Sequence, residues 1–164
     1  MNAKPDDPTG PAALSRSAPP PAHPAGALEA LADSLSACAD ELHARIMKAV
    51  RNRGQTPHDA LQHEAAQALF DSEVALRQRA NALYLNAAVL AASGLGAPRQ
   101  ELLDLVALAR QQIRRIDVLK DLLGVAADVL GLAAALADAK PEHVPAAVAD
   151  LRKQLARLRE DRAS

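Results

Sequence analysis

The sequence predicts an all-α fold: an antiparallel helical bundle of four helices with a long central helical hairpin, preceded by a disordered N-terminal arm. Apolar residues recur at alternating spacings of three and four, which is typical of amphipathic helices. Seven of the eleven prolines lie in the first 24 residues. Each of the others stands at the front of a periodic segment, where proline suits a first helical turn: Pro57, Pro98, Pro141 and Pro145.

The N-terminal segment is rich in Pro, Ala, Ser and Asp and has no apolar periodicity. Such a segment buries too little surface to offset the entropy cost of ordering it. We predict a disordered arm over residues 1–25 and one helical bundle domain over residues 26–162. The arm contains PxxP spacings, for example from Pro21 to Pro24, which some peptide-binding grooves recognise. A solubilising tail is the simpler interpretation.

The first two helices are predicted over residues 27–52 and from Pro57 to about residue 92. Gly54 is a natural stop for the first helix, and Thr56 is a good N-cap for the second. Their predicted buried seams are Leu28, Leu31, Leu35, Cys38, Leu42, Ile46 and Ala49, and then Leu61, Ala65, Leu69, Ser72, Leu76, Ala80, Leu83, Ala87 and Leu90. A turn with two glycines, Gly94 and Gly96, follows the second helix.

The third helix is predicted from Pro98 to about Ala139, with one apolar stripe at first and a second stripe from Val118 onward. Gly124 and Gly131 each cost about 1 kcal/mol in a helix interior, so they mark a kink or a close approach of another backbone. A break there, which would give two helices, remains open at this stage. The fourth helix begins near Pro141 or Pro145 and buries Val148, Leu151, Leu155 and Leu158.

Helix lengths predict an uncovered end of the bundle. At 1.5 Å per residue the second and third helices are roughly 54 and 60 Å long, against about 40 and 25 Å for the first and fourth. The short helices would then cover one end of the long hairpin and leave residues 81–110 projecting. This tip is strongly apolar, so we predict a partner-binding surface formed by Leu83, Tyr84, Leu85, Val89, Leu90, Leu95, Leu102, Leu103, Leu105 and Val106. The alternative is a kinked third helix that buries these residues within one chain.

Composition excludes several functional classes. The chain has a net charge of −1 and 1% aromatic residues, whereas nucleic-acid-binding domains carry a basic excess and often stacking rings. A single cysteine, Cys38, fits a reducing compartment. The start has no secretory pattern and no segment has the composition of an ordinary spanning helix, so we expect a cytoplasmic protein. The use of Ala, Arg and Pro is typical of GC-rich bacteria.

Residues suited to catalysis or metal binding do not form a recognisable set. His58, His63 and His143 are predicted near one end of the bundle, and Asp59 precedes His63 by four residues. Bundle metal sites normally carry Glu-x-x-His motifs, which the sequence lacks. Cys38 lies on an apolar seam, where it is expected to be an inert core residue. We predict no catalytic residues, no metal and no cofactor.

The function predicted from these features is non-enzymatic. The leading hypothesis is a helical interaction protein that binds itself or a protein partner through residues 81–110. A second hypothesis is a helical hairpin that acts at a membrane surface, through residues 87–96 or 122–137. A third is a bundle that binds a small ligand or a metal between its helices. No interaction with nucleic acid is expected.

Overall fold

The computed structural model describes residues 24–52 and 59–164, and every regular element among them is helical. The elements are α1 (Pro24–Arg51), α2 (Asp59–Ala91), α3 (Arg99–Arg115), α4 (Leu119–Ala137), a 3₁₀ turn (Pro141–His143) and α5 (Val144–Ala163). The predicted all-α bundle is confirmed. Predictions on the arm up to residue 23, on Gly54 and on the Thr56–Pro57 cap lie outside the described residues.

The predicted buried seams are largely confirmed in the structure. α1 begins at Pro24, three residues before the predicted Ala27, and its seam from Leu28 to Ile46 is at most 5% exposed. On α2, the seam residues from Leu69 to Leu90 are buried except Ser72, whose hydroxyl donates to the Ala68 carbonyl oxygen. Side chains at spacings of three and four therefore form one hydrophobic core across the bundle.

The segment predicted as one helix over 98–139 is two helices in the structure. Ile116 and Val118 have extended backbone angles (ψ 124° and 119°), which end α3 and precede α4. Arg45 of α1 donates to the carbonyl oxygen of Ile116 and to the Asp117 carboxylate at 3.1 Å. A helix end leaves carbonyl groups without intrahelical partners, and the guanidinium satisfies one of them. The break is therefore held by α1 from outside the segment.

Gly124 and Gly131, the residues expected to mark a break, both lie inside continuous α4. A Cβ at position 124 would crowd the side-chain amide of Gln154 on α5, so this glycine permits a close approach of the two helices. Nothing lies within 4 Å of a Cβ placed on Gly131. Gly124 therefore marks a contact with α5, whereas Gly131 faces open space.

The five helices form a ring in the order α1, α2, α4, α5, α3, with each helix packed against the next and α3 against α1. Side-chain contacts show how neighbouring helices run relative to one another. Asp40 and His43 contact Arg77 and Glu73, so α1 and α2 are antiparallel. The pairs Cys38–Val106 and Glu41–Arg114 show that α1 and α3 run parallel. α5 runs parallel to α3, through Glu101–Arg152 and Gln112–Arg162.

The prediction of a long central hairpin is therefore wrong. Within the described residues α2 makes no packing contact with α3, although α3 follows it in sequence. The α2–α3 turn is covered by the start of α5, because a Cβ on Gly96 would collide with the Pro141 carbonyl and the Val144 side chain. With the break at residues 116–118, all five helices lie side by side and the predicted projecting tip does not form.

Candidate protein-binding surface

The ten residues predicted to bind a partner fall into two groups in the structure. Those that face the core of their own chain are Leu83, Leu90, Leu102, Leu105 and Val106, each at most 7% exposed. Leu95 and Leu103 are partly buried against the same core. The residues that remain exposed all belong to α2: Tyr84 (39%), Leu85 (85%) and Val89 (73%). The structure does not bring the ten residues together as one surface.

The α3 residues are buried because α3 packs on α1. The Cys38 thiol lies 3.6 Å from the Val106 carbonyl oxygen, and Arg114 donates to Glu41 at 2.6 Å. In the predicted hairpin, this part of α3 had α2 as its only neighbour, and one face of α3 was therefore expected to be exposed. The long-range partner α1 supplies that cover.

Two exposed apolar residues that the sequence analysis did not select extend the exposed part of α2. Phe70 is 45% exposed and Val74 is 40% exposed. At 100° per residue they lie on the same side of α2 as Leu85 and Val89. We define the α2 stripe as the exposed residues Phe70, Val74, Gln78, Asn81, Leu85 and Val89.

A buried carboxylate helps to fix the orientation of the α2 stripe. Glu73 is 4% exposed, accepts a hydrogen bond from Arg77 Nε at 3.0 Å and lies 3.1 Å from His43 Nδ1. Arg77 also contacts Asp40 at 2.8 Å. The spacing of four residues from Glu73 to Arg77 is equally typical of an exposed ion pair, yet the structure buries this carboxylate. These contacts fasten one side of α2 to α1, and the contact of Arg79 with Asp138 fastens another side to the end of α4. The face of α2 between these two sides is the one directed outward.

α2 also extends beyond the end of α4. Arg79 contacts Asp138, the residue directly after α4, at 2.7 Å. Since α2 continues to Ala91, its last three turns have no α4 segment beside them. Leu85 and Val89, the most exposed large apolar residues on α2, lie in these turns.

The clefts of the described part of the chain do not converge on a ligand-binding set. One cleft, of about 380 Å³, lies between α1 and the start of α4 and is lined by Arg45, Lys48, Asn52, Gln62 and Asp117 among others. Its best-placed cation, Arg45, is already bound to Ile116 and Asp117. A second cleft, of about 350 Å³, lies between α4 and α5. Both are open grooves on the bundle surface.

The histidines expected together at one end of the bundle are separated. Gln62, next to His63, shares a cleft with Leu119 at the start of α4, whereas His143 lies after the end of α4. His58 lies outside the described residues. No group of three His, Cys, Asp or Glu residues that could hold a metal ion is found in the ranges 24–52 and 59–164.

Three groups among the described residues have a shifted pKa: Cys38, Arg77 and Asp128. Burial raises the pKa of the Cys38 thiol to about 12, so its thiolate is scarce at neutral pH. Desolvation, and then repulsion by Asp150, raises the pKa of Asp128, while Arg157 acts in the opposite direction. The structure places Asp128 partly buried beside α5 and Lys120 in solvent.

Comparison of the chain with models of protein families, with curated proteins and with solved structures gave no match. Among the described helices none has both the length and the apolar content that crossing a bilayer requires.

Proposed function

We propose that this chain is a non-enzymatic helical module that binds another polypeptide through the outer face of α2. Exposure of Leu85, which leaves 85% of the residue in solvent, is the observation that carries the proposal. Val89 is exposed four residues after Leu85, and Phe70 and Val74 lie on the same side of α2. Keeping this apolar surface of the α2 stripe in water costs free energy, which binding to a partner would recover.

The composition of the α2 stripe supports a protein partner. The α2 stripe contains four apolar residues and two amides and no charged residue. Depletion of charge and enrichment of aromatic and aliphatic side chains are typical of the central part of protein interfaces. The neighbouring charges, Asp71 and Arg77, make hydrogen bonds within their own chain, to Gln67 and to Glu73.

Site-specific photo-crosslinking tests the proposal. A benzoylphenylalanine at position 85 is expected to capture a discrete polypeptide in the native cells, whereas the same residue at exposed position 153 of α5 is not. The captured protein is identified by mass spectrometry and then tested with purified components. Capture should be lost when Val74→Gln and Val89→Gln are added. Equal capture at positions 85 and 153 would contradict the proposal.

A further inference from the structure

We propose that the partner of the α2 stripe is a second copy of the same chain, packed with its α2 antiparallel to the first about a two-fold axis. This inference rests on the proposed function, because it requires the outer face of α2 to be a docking surface. It adds the identity of the partner and the register of the contact.

The spacing of the α2 stripe is the same read from either end. Its six exposed positions are separated by four, four, three, four and four residues. In an antiparallel pair, Phe70 therefore faces Val89 of the other copy, and Val74 faces Leu85. Apolar residues meet apolar residues at both ends of the contact. A two-fold symmetric interface requires this self-complementarity, because the same patch is used on both subunits.

The centre of the stripe specifies the register. Gln78 and Asn81 face each other across the axis in this arrangement, and their amides can each donate and accept a hydrogen bond. A shift by four residues in one direction places Gln78 opposite Leu85, and in the other direction it places Asn81 opposite Val74. In either register an amide loses its hydrogen-bonding partner. A polar residue at one position of a helix–helix interface commonly selects register in this way.

The absence of charge also favours a second copy. A homodimer brings identical residues close to the axis, so a central Lys or Glu would face its own charge. The positions closest to the axis on the outer face are the uncharged Gln78 and Asn81. Arg79 is directed to the α4 side of the helix by its contact with Asp138.

Geometry predicts a dimer that dissociates readily. The stripe is about 28 Å long, and a helix with side chains is about 10 Å across. Contact between two such stripes covers less than the roughly 800 Å² per partner of a standard stable interface. We expect micromolar rather than nanomolar dissociation.

The first test is absolute mass by light scattering or sedimentation equilibrium, from about 1 µM to 1 mM protein. The native chain is expected to pass from monomer to dimer over this range, and Leu85→Gln is expected to raise the dissociation constant at least tenfold. Val118→Gln is the matched control, because Val118 is also an exposed apolar residue (57%) but lies between α3 and α4. Circular dichroism verifies that both variants are folded.

The second test addresses register through engineered cysteines and a short bismaleimide cross-linker. A mixture of Val74→Cys and Leu85→Cys chains is expected to cross-link, while Val74→Cys alone is not, since two copies of position 74 are about 16 Å apart along the helix axis. In a parallel pair, identical positions would face each other, so Val74→Cys alone would cross-link. Cys38 does not interfere, because it is fully buried and its raised pKa leaves little thiolate.

Failure of the dimer and failure of the proposed function give different results. A native chain that stays monomeric to 1 mM, while the photo-crosslinker at position 85 captures a different protein, overturns the homodimer and leaves the proposed function standing. A monomer with no capture at position 85 overturns both. A dimer that Leu85→Gln does not weaken uses another surface and also overturns this inference.

Discussion

At the scale of single residues, Gly94 and Gly96 have similar backbone angles but different surroundings. Both have positive φ, 77° and 72°, which costs a residue with a Cβ about 1–2 kcal/mol. Only Gly96 is crowded: an added Cβ would lie 2.9 Å from the Val144 Cβ, and closer still to the Pro141 carbonyl oxygen. Nothing lies within 4 Å of a Cβ on Gly94.

We therefore expect Gly96→Ala to lower the free energy of unfolding by about 2–4 kcal/mol and Gly94→Ala by about 1–2 kcal/mol. Urea denaturation of the two variants measures the difference, which reports the docking of the α2–α3 turn on the start of α5. Equal losses would show that the turn is not held there.

Asp128 gives a pH-dependent prediction. Its pKa is raised in the folded chain above the ordinary 3.8, chiefly by desolvation and then by Asp150, so the folded state binds a proton more readily than the unfolded state. Ionisation therefore lowers stability as pH rises from 3.8 through the folded pKa. We expect Asp128→Asn to raise the melting temperature at pH 7, with the gain shrinking as pH falls towards 3.8.

A pH series of thermal unfolding curves checks this expectation, with Asp150→Asn as a control that removes only the repulsion. A gain of Asp128→Asn that grew on acidification would have the opposite sign and would refute the assignment.

Residue environments were predictable from the sequence only where periodicity governs them. The burial of Leu28 and Leu76 follows from their positions on apolar seams. The burial of Glu73 does not, because its spacing to Arg77 is equally typical of an exposed ion pair. What buries it is the contact with His43, thirty residues away.

At the scale of elements, the α3–α4 break depends on Arg45. Replacing it with Met keeps the aliphatic stem and removes the donors to the Ile116 carbonyl and the Asp117 carboxylate. Ile116 is 4% exposed, so its carbonyl loses a partner in a largely buried position. We expect Arg45→Met to lower the free energy of unfolding by about 1–3 kcal/mol.

Lys48→Met, one turn further along α1 and exposed, is the matched control and is expected to change stability by less than about 0.5 kcal/mol. Guanidinium chloride unfolding of both variants provides the comparison. If the two substitutions cost the same, Arg45 does not hold the break.

The existence of the helices was predictable, while one boundary was not. Proline positions and apolar seams locate α1, α2 and α5 to within a few residues of their observed bounds. The glycines at 124 and 131 indicated a possible break there, yet the chain turns at Ile116–Val118, where no Gly or Pro stands. Apolar residues recur without a gap across this turn, so periodicity alone does not reveal it. The contacts that hold the break come from Arg45 on α1, which is distant in sequence.

At the scale of the whole molecule, self-association couples to stability. In the proposed dimer, only folded chains associate through the α2 stripe. Association therefore stabilises the folded state, and the melting temperature should rise with protein concentration. Leu85→Gln should remove most of this dependence and leave the melting temperature of the dilute protein unchanged, because Leu85 contributes little to the monomer core.

Differential scanning fluorimetry over a hundredfold concentration range makes this measurement. The same slope for the native chain and Leu85→Gln would contradict the coupling.

The location of the candidate surface was only partly predictable. Exposed apolar residues on α2 were expected, and Tyr84, Leu85 and Val89 are exposed. The α3 half of the prediction assumed that consecutive helices are neighbours. Because α3 instead packs on α1, its apolar face is covered, and the exposed residues extend towards Phe70 rather than across the turn.

The ring order has a consequence for the kinetics of folding. Two pairs of sequence neighbours, α1 with α2 and α4 with α5, form antiparallel contacts that close short loops and are expected to assemble early. The main partner of α3 is α1, about 70 residues away, as in the pair Cys38–Val106. The two hairpins meet directly where α2 packs against α4. We therefore expect α3 to dock last, onto α1 and α5 of the assembled hairpins.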